Sequence, residues 1–423
     1  MAKPKLISLY SGAGGLDYGF EAAGFDTGAC VEFDHDCCET LRANRKRWGV
    51  IERSIFDVPS AELLEMCAAR PGDIDLLIGG PPCQPFSKAG YWARGDSARL
   101  EDPRANTLSA YLRVLEETKP RAFLLENVEG LAYAGKDEGL RHLLDGIEAV
   151  NRRTKSAYRP VVQVLNAAGF GVPQLRERVF VIASRDGTTF RFPQPTHAEA
   201  QDTPLFKDAA LEPYRTAWDA LGDLPLDDAE DLDVRGKWAD LLPSIPEGQN
   251  YLWHTDRGVE RAKGAGQRPG RELFGWRRRY WTFLLKLAKA RPSWTIQAQP
   301  GPAVGPFHWD NRRLSARELC RIQTFPDDVN ITGGRTSVQR QVGNAVPSLL
   351  GEVLGRAIRT QLLGLAAARA SLRLLPPVRQ PTPSAEPYTD VPRKFRSLQG
   401  EHTAHPGTGL GTRAATRQAG ETA

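Results

Sequence analysis

Lys5-Leu6-Ile7-Ser8-Leu9-Tyr10-Ser11-Gly12-Ala13-Gly14-Gly15-Leu16-Asp17-Tyr18-Gly19-Phe20 reads as a strand that runs through a glycine turn into a helix. Small residues in such a turn let a ligand approach the main chain, and the helix start offers free N–H groups. Ala29-Cys30-Val31-Glu32-Phe33-Asp34 follows as a second strand ending in acid, and an acid at that place suits a ribose diol. The two features together favour a nucleoside-type cofactor. Asp17 stands where the G-x-G-x-x-G fingerprint needs its last glycine, which argues against a dinucleotide dehydrogenase. The expected fold is α/β: a doubly wound, Rossmann-like sheet with its chemistry at the carboxyl ends of the strands.

That expectation gives meaning to Gly79-Gly80-Pro81-Pro82-Cys83-Gln84-Pro85-Phe86-Ser87, which follows the aliphatic run Ile74–Ile78. The glycines permit unusual backbone angles and the prolines fix φ and remove donors, so the strand ends here and Cys83 lies on a stiff loop. A bare Pro-Cys is more often an idle turn; the length of this rigid stretch and its neighbours argue for chemistry. Asp102–Leu108 is expected to open a helix continuing through Tyr111, Leu112 and Leu115. Arg121–Leu125 is then a strand ending in Glu126-Asn127-Val128, which puts a carboxylate at the same sheet edge as an acid/base group. Val161–Asn166 and Arg178–Ile182 read as a further strand pair. Between them Gln174, Arg176 and Arg178 alternate, and period two places all three on one face of an extended segment.

Composition bounds the remaining choices. The 423 residues are 41% hydrophobic, with a net charge of +5, enough for a catalytic domain and a second lobe. The mild positive charge permits a nucleic-acid partner without requiring one. There is no apolar run of membrane-spanning length, and Met1-Ala2-Lys3-Pro4 leads straight into a strand rather than a signal peptide. The six cysteines show no C-x-x-C pairing, so no metal site is expected and reduced thiols in a cytoplasm are.

In order and spacing, these segments resemble the conserved blocks of the cytosine-5 DNA methyltransferases of restriction–modification type. The blocks are Tyr10–Gly15, Glu32, Pro81-Pro82-Cys83-Gln84, Glu126-Asn127-Val128, Gln174–Arg178, Arg313–Glu318, Ile322–Pro326 and Gln341–Pro347. The resemblance implies S-adenosylmethionine as cofactor. Tyr10, where the family usually has Phe, and Phe33 would sandwich the adenine, with Glu32 on the ribose hydroxyls. Ser11, Gly12, Gly14, Gly15, Ile55, Pro82 and Asn344 would complete that site. The family's adenine-binding Asp is replaced by Ser54, with Asp57 three residues on. Cys83 would be the nucleophile, Glu126 the acid on ring nitrogen 3, and Arg178 the contact to the base carbonyl. Arg176 would assist catalysis; Gln174, Gln84 and Ser87 would face the DNA. The implied partners are double-stranded DNA and a cognate restriction endonuclease sharing the site, acting with a monomer in a bacterial cytoplasm.

The resemblance also divides the chain. Residues 1–192 would be catalytic and cofactor-binding, 193–311 target-recognising, and 312–375 the conserved C-terminal blocks, with Asn344–Ala367 a helix returning to the catalytic domain. In the second part Arg268, Arg271, Arg277, Arg278 and Arg279 interleave with Phe274, Trp276, Tyr280 and Trp281; arginine suits bidentate contact with phosphate or a guanine edge. Residues 376–423 lack apolar periodicity and read as a disordered tail. Two competitors stand beside this reading. One is a tRNA cytosine-5 methyltransferase of the same family, whose recognition region is short; the other is a silent DNA-binding relative, which intact Cys83, Glu126 and Arg178 argue against.

Overall fold

The computed structural model describes residues 3–82, 106–128, 138–199, 211–225, 230–264, 266–276, 280–366 and 369–398. Cys83, Gln84, Ser87, Arg277, Arg278 and Arg279 lie outside the described residues. The strands that build the site include β1 (Lys5–Leu9), β2 (Asp26–Glu32), β3 (Gly49–Glu52), β4 (Leu76–Gly79), β5 (Ala122–Val128), β6 (Val161–Asn166), β7 (Gln174–Leu175) and β8 (Glu177–Ser184). Seven of them form one sheet in the order β3-β2-β1-β4-β5-β8-β6. The first five run parallel, and β8 enters antiparallel to both β5 and β6. Strand order reverses between β1 and β4, so the Tyr10–Gly15 turn and Gly79–Pro82 leave adjacent strands at the switch point where open α/β sheets bind ligands.

The alternation of side chains builds two apolar layers. Ile7, Leu9, Leu77, Phe123 and Leu125 face one side, where α3 (Ser60–Met66), α4 (Asn106–Thr118) and α5 (Glu138–Thr154) cover them. Leu6, Leu76, Ile78, Ala122 and Leu124 face the other, beneath α1 (Gly15–Ala22) and the C-terminal helix Ser348–Gln361. The helix α2 (His35–Asn44) starts where the Asp34 carboxylate accepts from the Cys37 N–H at 3.1 Å. A Cβ on Gly19 would fall 2.2 Å from the Ser348 carbonyl, so α1 and the C-terminal helix meet backbone to backbone. This close approach clamps the C-terminal blocks onto the glycine turn.

Two expectations change here. The stretch Asn344–Ala367 is not one helix: Arg335–Asn344 ends, Ala345 is extended, and a new helix begins at Ser348 after Pro347. Proline lacks the N–H needed to continue the first helix and disfavours a helical residue before it. The chain beyond Pro376 is also not disordered throughout. Residues 376–398 lie as a strap across the segment 193–311, and 399–423 fall outside the described residues. Val391 and Phe395 enter an apolar cluster with Leu241, Leu242, Ile245, Tyr251, Phe274, Leu284 and Phe307. Phe395 stacks on Trp238, with ring centroids 5.6 Å apart and planes at 17°. Lys289, nearly buried, bridges Glu247 at 2.6 Å and Glu386 at 2.9 Å. Thus a separate apolar cluster around Leu241, Phe274 and Phe307 is completed by Val391 and Phe395. Ser293–Trp294 pairs with Gln174–Leu175.

Candidate active site

The cofactor side of the site is built by the ends of β1 and β2. Tyr10, Gly12 and Gly14 take left-handed backbone angles, φ 56°, 53° and 82°, which turn the chain sharply into α1. Gly12 N–H donates to Glu32 Oε2 at 2.9 Å, while Phe33 and Asp34 N–H donate to Oε1 at 2.8 and 2.9 Å. Burial pushes the Glu32 carboxyl above the ordinary carboxylate range, and these three donors pull against the shift. Immediately after it Phe33 holds a bare ring, 70% exposed. A Cβ placed on Gly12 would meet nothing within 4 Å, so the main chain is open to an approaching ligand. An exposed aromatic face, a carboxylate and an open glycine turn fit a nucleoside-bearing methyl donor.

The other cofactor candidates fall around this centre. Ile55 is buried, and Ser11 Oγ donates to Ser8 Oγ at 2.9 Å. Ser54 caps a short 3₁₀ turn, accepting from the Phe56 N–H at 3.4 Å, and Asp57 is exposed. Gly15 lies against the Asn344 block, since a Cβ there would fall 2.4 Å from the Val346 carbonyl. Asn344 itself, at the end of its helix, is exposed. Sequence distance hid these neighbours; the close-packed glycines were the available signal.

On the chemical side, Arg178 Nε meets Glu126 Oε1 at 3.0 Å, with side chains only 16% and 12% exposed. The register explains the meeting: Arg178 pairs with Val128 across β8 and β5, one pleat from Glu126. Burial pushes the Glu126 carboxyl up, opposed by Arg178 and then Arg176, and the same burial pulls the Arg178 guanidinium down. Both shifts say that desolvation outweighs the pair's attraction. An acid held in this way keeps its proton more readily than an exposed one. Gly80 makes room for it, because a Cβ there would fall 2.7 Å from Glu126 Oε2.

Gln174 and Arg176, expected also to support the pocket, bond to main-chain groups. Gln174 Oε1 accepts from the Ile296 N–H at 3.1 Å, and Arg176 donates to the Ile296 carbonyl at 3.3 Å and the Gly343 carbonyl at 2.9 Å. Both are fully buried, and among the described residues Gln174 Nε2 and Arg176 Nε find no hydrogen-bond partner. Arg176 also lies close enough to Glu126 and Arg178 to act on both electrostatically. Arg178 turns to the acid, while the other two hold Ile296, just after the strand Ser293–Trp294, and Gly343 of the helix Arg335–Asn344. Residues without an expected role also matter. Asn127 Nδ2 donates to the Pro81 carbonyl at 3.1 Å and Thr107 Oγ1 to the Pro82 carbonyl at 3.4 Å, so the two prolines preceding Cys83 are held from two elements. In the second lobe Phe274 is core, whereas Trp276 is 39% exposed beneath the Arg257 guanidinium, 4.1 Å from its ring centroid.

A parallel sheet with this strand order, a glycine turn and acid at its switch point, and an acid–arginine pair one strand away defines a Rossmann-like methyltransferase. The family model of C-5 cytosine-specific DNA methylases matches residues 4–360, and the chain belongs to that family. It is a DNA cytosine-5 methyltransferase. Among similar proteins is the type II methyltransferase M.SacI of Streptomyces achromogenes, 42% identical over 380 residues covering 84% of this chain and 93% of the relative. M.NgoFVII of Neisseria gonorrhoeae is 34% identical, with 82% and 83% covered. Among solved structures, Entamoeba histolytica methyltransferase EhMeth superposes with a TM-score of 0.56 at 14% identity, covering 86% of this chain and 99% of that one, a likeness of fold.

Proposed function

We propose that the chain methylates carbon 5 of one cytosine, extruded from a short duplex DNA sequence, with S-adenosylmethionine as donor and Cys83 as covalent nucleophile. The observation that carries this reading is the Glu126–Arg178 pair at the sheet edge, against Gly80 and beside the held Pro81 that leads to Cys83. Tyr10, Glu32 and Phe33 would hold the cofactor, with Ile55, Asn344 and the Ser11–Gly15 turn around it. When bound, the cofactor supplies an electrophilic methyl group.

Carbon 5 of cytosine is a poor nucleophile, and thiolate addition at carbon 6 makes it enamine-like, splitting one hard step into easier ones. A free thiol has a pKa of about 8.5, so the site must favour the thiolate, and a neighbouring guanidinium is one means. Glu126, with its raised carboxyl pKa, protonates ring nitrogen 3 as Cys83 adds, so no full anion develops. Arg178 orients Glu126 and contacts the base carbonyl. After methyl transfer a solvent water takes the carbon 5 proton, the carbon 6–sulfur bond breaks to return the Cys83 thiolate, and ring nitrogen 3 gives its proton back to Glu126. None of these atoms is reachable inside a duplex, so the base must be extruded at a cost of a few kcal/mol.

The segment 193–311 with its strap would read the DNA, with Arg277–Arg279 supplying phosphate or base contacts. This long basic–aromatic lobe favours DNA over tRNA. We further read the enzyme as a monomer of the bacterial cytoplasm, sharing its site with a cognate restriction endonuclease. Bisulfite sequencing of a plasmid from an unmethylated host expressing the chain tests the function. One short sequence should be protected throughout, and a plasmid converted at every cytosine would reject the proposal.

A further inference from the structure

Tyr10 stands where the resembled family usually has Phe, and its extra atom is used. The phenol Oη donates to the main-chain carbonyl of Thr107 at 2.7 Å, joining residues 97 apart in the chain. Thr107 lies in the first turn of α4, and its own Oγ1 donates to the Pro82 carbonyl at 3.4 Å. From the opposite side Asn127 Nδ2 holds the Pro81 carbonyl at 3.1 Å. The segment that contains Cys83 therefore begins and ends on residues tied to one another. The cofactor turn is tied to that same knot through one hydroxyl. Burial pushes the Tyr10 phenol well above its ordinary value, so it stays a donor across the working pH range.

We infer that the Tyr10 hydroxyl is a positioning group, which fixes the start of α4 and the Pro81-Pro82 turn relative to the cofactor and so sets where the Cys83 sulfur is delivered. This rests on the proposed Cys83 chemistry. The ring and the hydroxyl then have separable duties. The ring would face the cofactor, as proposed above, and its loss should weaken cofactor binding. The hydroxyl acts through Thr107 and Pro82, and its loss should slow thiolate attack while leaving cofactor affinity in place. Positioning errors of this kind act on rate more than on binding.

Tyr10→Phe removes the hydroxyl alone, and Tyr10→Ala removes the ring as well. With full-length enzyme, S-adenosylmethionine affinity is measured by calorimetry. The rate of denaturant-stable adduct formation with a duplex carrying 5-fluorocytosine is measured under single-turnover conditions. Tyr10→Phe should keep cofactor affinity within about twofold and slow adduct formation by about fivefold, as expected for one lost hydrogen bond. Tyr10→Ala should weaken cofactor binding in addition. An adduct rate for Tyr10→Phe equal to the parent's would overturn the inference, as would a fall in cofactor affinity matching that of Tyr10→Ala. Failure of the parent itself to form an adduct would instead count against the covalent mechanism.

Discussion

Replacing Phe395 by Ala tests whether the strap is part of the folded second lobe. Phe395 is 3% exposed and Val391 7% exposed in the cluster they share with Leu241, Leu242, Ile245 and Phe274. Truncating a buried Phe costs about 3–5 kcal/mol when the surroundings cannot collapse. The stack on Trp238 accounts for roughly 0.5–1.5 kcal/mol of that. The strap can also lift away, which caps the loss. Detachment forfeits the burial of Val391 and Phe395, about 1.5–3 kcal/mol each, and recovers the entropy of the freed chain. A net loss of about 3 kcal/mol is expected, a shift of about 1 M or more in the urea midpoint. Urea unfolding followed by tryptophan fluorescence reads it, because Trp238 sits under the mutated ring. Val378→Ala, at a position 56% exposed, is the control and should stay within about 0.5 kcal/mol. If Phe395→Ala unfolds at the same midpoint as Val378→Ala, the strap contributes no packing and the reasoning fails.

Glu126→Gln should retain cofactor affinity and lose turnover by about 10²- to 10⁴-fold, because an amide hydrogen-bonds but does not deliver a proton; calorimetry beside a methyl-incorporation assay would separate the two effects. Asp17, buried below the cofactor turn with one carboxylate oxygen unpartnered among the described residues, has its pKa pushed from 3.8 to about 7 by burial. A raised acid stabilises the fold fully below pH 3.8 and loses that contribution as pH rises through about 7. The loss is roughly 4 kcal/mol at 1.36 kcal/mol per pKa unit. Unfolding midpoints recorded from pH 5 to 8 should therefore fall in the parent and fall less in Asp17→Asn; parallel profiles would contradict the assignment.

The catalytic fold was legible because its signals are local. Short continuous apolar runs became β1, β4 and β5, each within a residue or two of the expected place, and the glycine turn stood where a strand meets a helix. The acid at the end of β5 was visible as a strand end, and its raised pKa follows from the burial that the sheet edge imposes. What stayed hidden was set by long-range register. Nothing near Arg176 in sequence shows that its guanidinium would serve the carbonyls of Ile296 and Gly343. The strap escaped for a related reason: two side chains, Val391 and Phe395, anchor it without helical or strand periodicity, and its composition matches that of an unpacked chain. Tyr10 was read for its ring alone, since its hydroxyl's partner lies 97 residues away.

The central claim is that Cys83 adds covalently to the target cytosine. A duplex containing 5-fluorocytosine at the methylated position tests it, because fluorine cannot depart as a proton does and the adduct accumulates. Denaturing electrophoresis should show a protein–DNA band that depends on S-adenosylmethionine and disappears in Cys83→Ser. A band of undiminished strength in Cys83→Ser would remove Cys83 from the mechanism.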